Sequence, residues 1–259
     1  MIKLYLKYFM IQLKSLMEYK KSFAFSIAGQ FFLSIFSILS IYFLFNKFGN
    51  IEGYTFNNVL ICFVVSFVGY SIAECFFRGF DKFEDMISNG EFDRILTRPE
   101  GLIFQVLASK IEFERIGRAI ASSIAFVILL CTNVDLLRFD KIVTIFFMIC
   151  GTIVIYGCLF IAKGGITFFT TQSLEIMNIF TDGARDLTQY PLSIYHKYVR
   201  IFLTYIVPIA FVNYFPLLYV IGKVNNKLYE FSPVVSVLFV IPCYIIWRMG
   251  VKKYKSTGS

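Results

Sequence analysis

Residues 22–45 contain no charged side chain over 24 positions, and this run constrains the fold more than any other feature. As an α-helix it measures about 36 Å, enough to cross the roughly 30 Å hydrocarbon core of a bilayer with some tilt. Further apolar runs occupy 56–77, 119–134, 142–162, 201–221 and 228–247. Hydrophobic residues make up 58% of the chain and charged residues 16%, with a mean hydropathy of +0.70. A globular domain carries about a quarter charged residues, so this chain lacks the polar surface to cover a soluble core. The reading is an all-α integral membrane protein in one domain, with connections too short for a separate soluble catalytic unit.

The net charge is +8, which in a compact patch would suit nucleic acid. Here the basic residues flank apolar runs, as orientation signals do, and nucleic acid is not an expected partner. The six cysteines, Cys62, Cys75, Cys131, Cys150, Cys158 and Cys243, all lie inside apolar runs, with no pair at zinc or redox spacing. They read as small buried hydrophobes. A single histidine, His196, leaves no HExxH and no Cys–His pairing, so neither catalytic residues nor a metal site are assigned. There is no glycine-rich phosphate loop either, and no cofactor is expected in this chain.

In the first 21 residues, Lys3, Lys7, Lys14, Glu18 and Lys21 recur at helical spacing, with Leu4, Tyr5, Tyr8, Leu13, Leu16 and Met17 filling much of the remainder. Such a helix lies in the membrane interface with its lysines toward anionic headgroups, contacting lipid; a plain basic flank is the simpler alternative. The run at 22–45 is too long for the core of a cleaved signal peptide. Arg78, Lys82, Arg94, Arg98, Lys110, Arg115 and Arg118 join the amino-terminal lysines and the basic tail on one side. That excess puts both termini in the cytoplasm and requires an even number of crossings, for which six fits.

Residues 170–200 admit two readings. By hydropathy they form a cytoplasmic loop, because Glu175, Asp182, Arg185 and Asp186 are costly in lipid, and the fifth span then falls at 198–221. Alternatively 172–189 crosses within the bundle, its charges facing inward or pairing on one helical face, and 190–221 forms a hairpin that dips back from outside. Pro191, Pro208 and Pro216 would bend that hairpin, as a re-entrant segment packed against protein tolerates.

After the second span, Phe80, Phe83 and Ile87 lie at helical spacing, then Ser88-Asn89-Gly90 breaks the pattern, and Phe92, Ile95 and Leu96 resume it before Pro99. These are two short amphipathic helices, ended by Gly90 and Pro99, with an apolar stripe suited to a partner's groove or to the inner membrane surface.

Residues 90–99, Gly-Glu-Phe-Asp-Arg-Ile-Leu-Thr-Arg-Pro, resemble the G-E-L-D-x-x-L-x-R-P segment of ABC-2 type permeases, the membrane subunits of ATP-binding cassette exporters. Tyr190-Pro191-Leu192-Ser193-Ile194-Tyr195, then 206–212 around Pro208, then Pro216, resemble the signature of one six-helix branch of that family. Phe92 replaces a commoner leucine, and His196 stands where another proline is frequent. The resemblance implies one permease domain over 1–259: an interface helix at 1–21, spans at 22–45, 56–77, 119–134 and 142–168, coupling helices at 81–98, and a last span at 228–247. It favours the 172–189 crossing with an extracellular hairpin holding Tyr190, Pro191, Tyr195, Pro208 and Pro216. It also implies a cell-membrane location, a second permease copy or paralogue, and two partner ABC ATPases that bind Mg-ATP. Phe83, Glu84, Met86, Ile87, Glu91, Asp93 and Arg94 are the residues assigned to ATPase coupling.

Glu74 and Lys163 fall at similar depth near the inner ends of the second and fourth spans, and form a candidate intramembrane ion pair, with snorkelling of each as the alternative. Two rival functions are weighed. A secondary transporter would show broken helices at midplane and often an internal repeat, neither legible here. A membrane lipid enzyme would need clustered acids or a Ser/His/Cys set at one depth.

Overall fold

The computed structural model describes residues 2–170 and 177–256, and the statements below concern those residues. Five helices are long and apolar enough to cross a membrane, or six if one bent pair counts as a span. The fold is all-helical membrane protein, its elements set by the apolar runs and by the polar residues that interrupt them.

Helix α1 (Ile2–Leu16) and α2 (Lys20–Phe48) meet at Tyr19, whose ψ of 56° breaks the helix. One face of α1, with Tyr5, Phe9, Leu13 and Leu16, packs on Cys75, Ile111 and Phe113. Gln12 pins it there, donating to the Ala108 carbonyl (2.7 Å) and accepting from the Ile111 N–H (2.8 Å). Lys3, Lys7 and Lys14 are exposed.

Helix α3 (Phe56–Phe77) is the axis of the bundle: 15 of its 22 residues are buried. A helix apolar on every side belongs in the centre of a packed assembly. Around it stand α2, α7 (Ile116–Thr132) and α8 (Phe139–Thr167). Between α3 and α7 come the short helices α4 (Phe83–Ser88), α5 (Glu91–Leu96) and α6 (Leu102–Ser109). Phe25, Phe32, Phe36 and Phe43 on α2, and Phe146 on α8, are exposed apolar side chains.

The short helix α9 (Ala184–Leu187) follows a π-helical turn at Ile179–Gly183, and this segment lies antiparallel to α3. Asn178 meets Lys163 (2.8 Å), Asp182 accepts from Tyr70 (2.8 Å), the Thr188 carbonyl accepts from Cys62, and the Ser193 hydroxyl donates to Tyr54 (3.1 Å). Residues 171–176, including Glu175, lie outside the described part.

Two helical stretches, Lys197–Ile206 and Ile209–Val220, then meet at a bend of 83°. The first contains α10 (Lys197–Ile201) and a π turn, the second α11 (Ile209–Val212) and α12 (Tyr214–Val220). Pro208 sits at the bend, where it has no N–H to carry the first helix onward. Phe202 reaches down to Phe180 (5.7 Å between centroids), Asn213 returns to the Thr188 carbonyl (2.9 Å), and Lys223 lies over the Tyr54 ring (3.4 Å). The bent pair thus leaves and rejoins the end of the bundle marked by Tyr54.

The last crossing helix begins at Ser232 and not at 228 as hydropathy suggests. Asn226 caps a separate turn, α13 (Lys227–Glu230), and Pro233 starts a 3-10 stretch that leads into α14 (Val240–Lys253). Helix α14 approaches α8 closely at Gly165, where a Cβ would lie 2.8 Å from backbone atoms of Trp247.

Candidate functional site

Two constructions stand at the end of the bundle away from Tyr54: a buried charge network, and the pair of short helices that follows it. Charged groups inside a membrane bundle persist only when paired or wetted, and the network meets that demand with side chains from α2, α3, α7, α8, α9 and the turns beside them. Glu74, wholly buried on α3, is paired with Arg78 one turn further on. It also accepts from Arg118 of α7 at 2.7 Å, with Arg115 at 3.6 Å. Arg118 donates in addition to Gln30 of α2 (2.7 Å). Arg78 reaches Asp81 (2.8 Å) and Asp182 (3.5 Å), and Arg185 pairs with Asp186 (2.8 Å) and Asp182 (3.5 Å). Lys163 of α8 donates to Asp81 (2.6 Å) and to Asn178 (2.8 Å).

The Glu74–Lys163 pair expected from depth is therefore not the pairing found. Arg78 lies four residues after Glu74 on the same helical face, and α7 with the turn before it delivers Arg118 and Arg115, so Glu74 is fully engaged. Lys163 takes Asp81 instead. Sequence reasoning missed Arg115, Arg118 and Gln30, having read the arginines as flanking charges. The available signal was Arg118 itself, one residue before an apolar run and within a turn of its first residues.

Residues Arg78–Lys82 form a 3-10 turn into α4, and Gly90, at φ +71°, supplies the left-handed residue between α4 and α5. Their apolar stripe faces the bundle. Phe80, Phe83 and Phe92 are wholly buried, with Phe83 at 5.3 Å from Phe92, 5.1 Å from Phe168 and 5.3 Å from Trp247. Phe83, assigned from sequence to a partner contact, is thus a core residue of its own chain. The stripe ends up inside because the ends of α8 and α14 present Phe168, Trp247 and Tyr254 to it.

The other coupling candidates divide by exposure. Met86 and Ile87 are half-buried against this cluster, and Glu84 and Asp93 are half-buried. Asp93 accepts from the Tyr254 phenol at 3.0 Å. Burial, and then Asp93, raise the Tyr254 pKa above its ordinary value. Glu91 and Arg94 are exposed, and with Asp85, Leu96 and Arg98 they make an outward face of mixed charge. A groove of about 450 Å³ separates this face from α1, lined by Tyr8, Met86, Arg94, Arg98 and Phe104. In the bent segment, Pro191 and Pro216 are buried, while Tyr190, Tyr195 and Pro208 are half-buried.

Residues 31–258 match the family described as ABC-2 family transporter protein. Comparisons with curated proteins and with solved structures returned no match. With residues 31–258 matched, on a bundle of apolar helices, the chain belongs to the ABC-2 transporter family, the permease components of ATP-binding cassette transporters.

Proposed function

We propose that this chain is the permease subunit of an ATP-driven exporter in the cell membrane, with both termini cytoplasmic, working as a dimer with itself or a related permease. Two ABC ATPases bind Mg-ATP and dock on the outward face of α4 and α5. The observation that carries the reading is the construction of that face. Its inner side is locked to α8 and α14 by Phe83, Phe92, Phe168 and Trp247, while Asp85, Glu91, Arg94, Leu96 and Arg98 remain uncovered. A push on the outer face is carried as a rigid displacement into two spans. The exposed length of α2 supplies a surface for the second permease, since only Ser34, Ile41 and Phe45 of it are buried. The return of the bent pair to the Tyr54 end supports an extracellular hairpin.

Copurification tests the assignment. Reversing the outer charges with Glu91→Lys and Arg94→Glu should leave a monodisperse permease that no longer retains an ATPase or transports. An unchanged ATPase yield in both variants would refute docking at this face.

A further inference from the structure

The charge network opens toward the flank of the bundle, between α2 and α9 with Gln189 just beyond it. A recess of about 200 Å³ lies there, walled by Ser34 and Ser37, Phe67, and the polar trio Arg185, Asp186 and Gln189, with Arg118 at its back. It lies where the network reaches back from the end of the bundle to the middle of α2 and α3. Ser34 is the middle residue of α2, Arg118 stands over the ring of Phe67 (5.8 Å) halfway along α3, and Arg185 over Tyr70 (5.5 Å). The Asp186 side chain is 57% exposed, and a carboxylate at that depth cannot face lipid without a cost of a few kcal/mol. This flank therefore borders a polar path.

Three features give the recess a ligand preference. Among the described residues the network holds five basic groups, Arg78, Arg115, Arg118, Lys163 and Arg185, against four acids, Glu74, Asp81, Asp182 and Asp186. The formal excess is one positive charge. Arg185 makes both its short contacts (2.8 and 2.9 Å) to the exposed Asp186, which also accepts from Gln189 (3.1 Å) and is a partner that another anion can replace, and it holds Asp182 only at 3.5 Å. At the inner end, Ser66 is 5% exposed and its hydroxyl has no partner, whereas Ser34, Ser37 and Ser71 each donate to the carbonyl four residues back. Ser66 shares a crevice with Phe67, Arg185 and Gln189. That crevice is too narrow for water in this arrangement, so a ligand oxygen reaches the hydroxyl only when Gln189 moves aside. Beside the opening, Phe32, Leu33 and Phe36 are exposed at the same level of α2.

From this we infer that the recess binds the anionic headgroup, a phosphate ester or carboxylate, of an amphiphilic cargo. Arg185 and Arg118 supply the charge, Ser66 and Gln189 supply hydrogen bonds, and Phe32, Leu33 and Phe36 face the alkyl chain. The inference rests on the permease reading and names the class of molecule carried.

The test uses the full chain in zwitterionic nanodiscs, irradiated with a diazirine-bearing dodecyl phosphate and mapped by mass spectrometry. Labelling should saturate on peptides covering 31–38 and 185–190, and excess dodecyl phosphate should compete while dodecyl maltoside does not. Arg185→Gln should weaken it by about tenfold, the worth of one charge-assisted hydrogen bond, and Arg185→Lys should retain most of it. Asp186→Asn should strengthen it several-fold, a gain that misfolding cannot produce. Ser66→Ala should weaken it without loss of thermal stability, because the empty protein makes no bond there. Labelling spread evenly over exposed apolar residues elsewhere, such as Phe146 and Ile241, or unmoved by Arg185→Gln and Asp186→Asn, would overturn the inference. Competition by inorganic phosphate alone would overturn the amphiphile and leave a soluble anion. Loss of saturable labelling with an ATPase still bound defeats this inference only, whereas saturable labelling without any copurifying ATPase defeats the permease reading only.

Discussion

Arg118 of α7 donates to Glu74 of α3 across 2.7 Å, and in doing so joins the bundle's buried axis to a helix on its outside. The same carboxylate receives Arg78 and lies 3.6 Å from Arg115. One acid thus gathers three guanidiniums at the root of the segment that leads to α4, and Asp81 and Asp182 supply further negative charge to Arg78.

Glu74→Gln should destabilise the protein by about 3–5 kcal/mol, because it leaves buried guanidiniums without their counter-charge. Adding Arg118→Gln should return part of that loss, so the double variant should be more stable than the sum of the two single losses. Thermal unfolding in one detergent, followed by circular dichroism, measures all three. Strict additivity would mean that the two side chains do not share an interaction.

Phe83→Ala should cost about 3–5 kcal/mol through the cavity it leaves among Phe92, Phe168 and Trp247, while Arg94→Ala on the outer face of the same unit should stay within about 0.5 kcal/mol. Size-exclusion yield and melting temperature distinguish them. Equal effects would show that Phe83 is no more enclosed than Arg94.

The sequence exposed some of this plainly and concealed the rest for definite reasons. Long apolar runs, the Gly90 break and the basic flanks are one-dimensional signals, and α2, α3 and α7 follow the first three runs to within a few residues, whereas the run at 201–221 is split by the 83° bend. The direction of the Phe80–Phe83–Ile87 stripe is not such a signal: periodicity says that one side is covered, not whether by a partner or by the chain's own α8 and α14. Glu74 and Lys163 show the same limit, since equal depth says nothing of azimuth around the bundle. Arg118 was hidden because it stands in the first turn of α7, where a basic residue reads equally as a flank, and its contact with Glu74 depends on how α7 packs on α3. The course of 177–193 beside α3 was hidden because its charges, each cheap once paired, make the segment look like a loop.

Gly165→Ala should cost about 1–3 kcal/mol by forcing α8 from the Trp247 backbone. Gly29→Ala, in open space on α2, should instead stabilise by up to about 1 kcal/mol, since alanine loses less backbone entropy than glycine in a helix. Opposite signs in thermal unfolding are the expected outcome, and a neutral Gly165→Ala would contradict the close approach.

His196 is exposed and lies three residues after Ser193, which meets Tyr54. A cysteine at His196 or at Asn50 should react with an impermeant maleimide on intact cells, and one at Lys14 only after permeabilisation. Labelling of His196→Cys only in opened cells would leave 197–220 as an ordinary span entered from the cytoplasm.

The Tyr254 phenol donates to Asp93, and its folded pKa lies above the ordinary tyrosine value of about 10. A raised pKa means that the contact contributes stability in full below that ordinary value and loses it as pH climbs through the folded one. Trypsin cleavage after Lys253 and Lys255 should therefore accelerate at strongly alkaline pH in the wild type. Tyr254→Phe should cleave faster already at pH 7 and show no such alkaline step.

The chain has one tryptophan, and it stands where α14 meets both α8 and the α4–α5 unit, its ring 5.4 Å from Phe80, 5.3 Å from Phe83 and 5.7 Å from Phe168. Its fluorescence is consequently a built-in optical gauge of that junction. A nucleotide-driven shift of the two short helices against the last span would alter the quenching and polarity around one indole, readable in real time without attaching a dye.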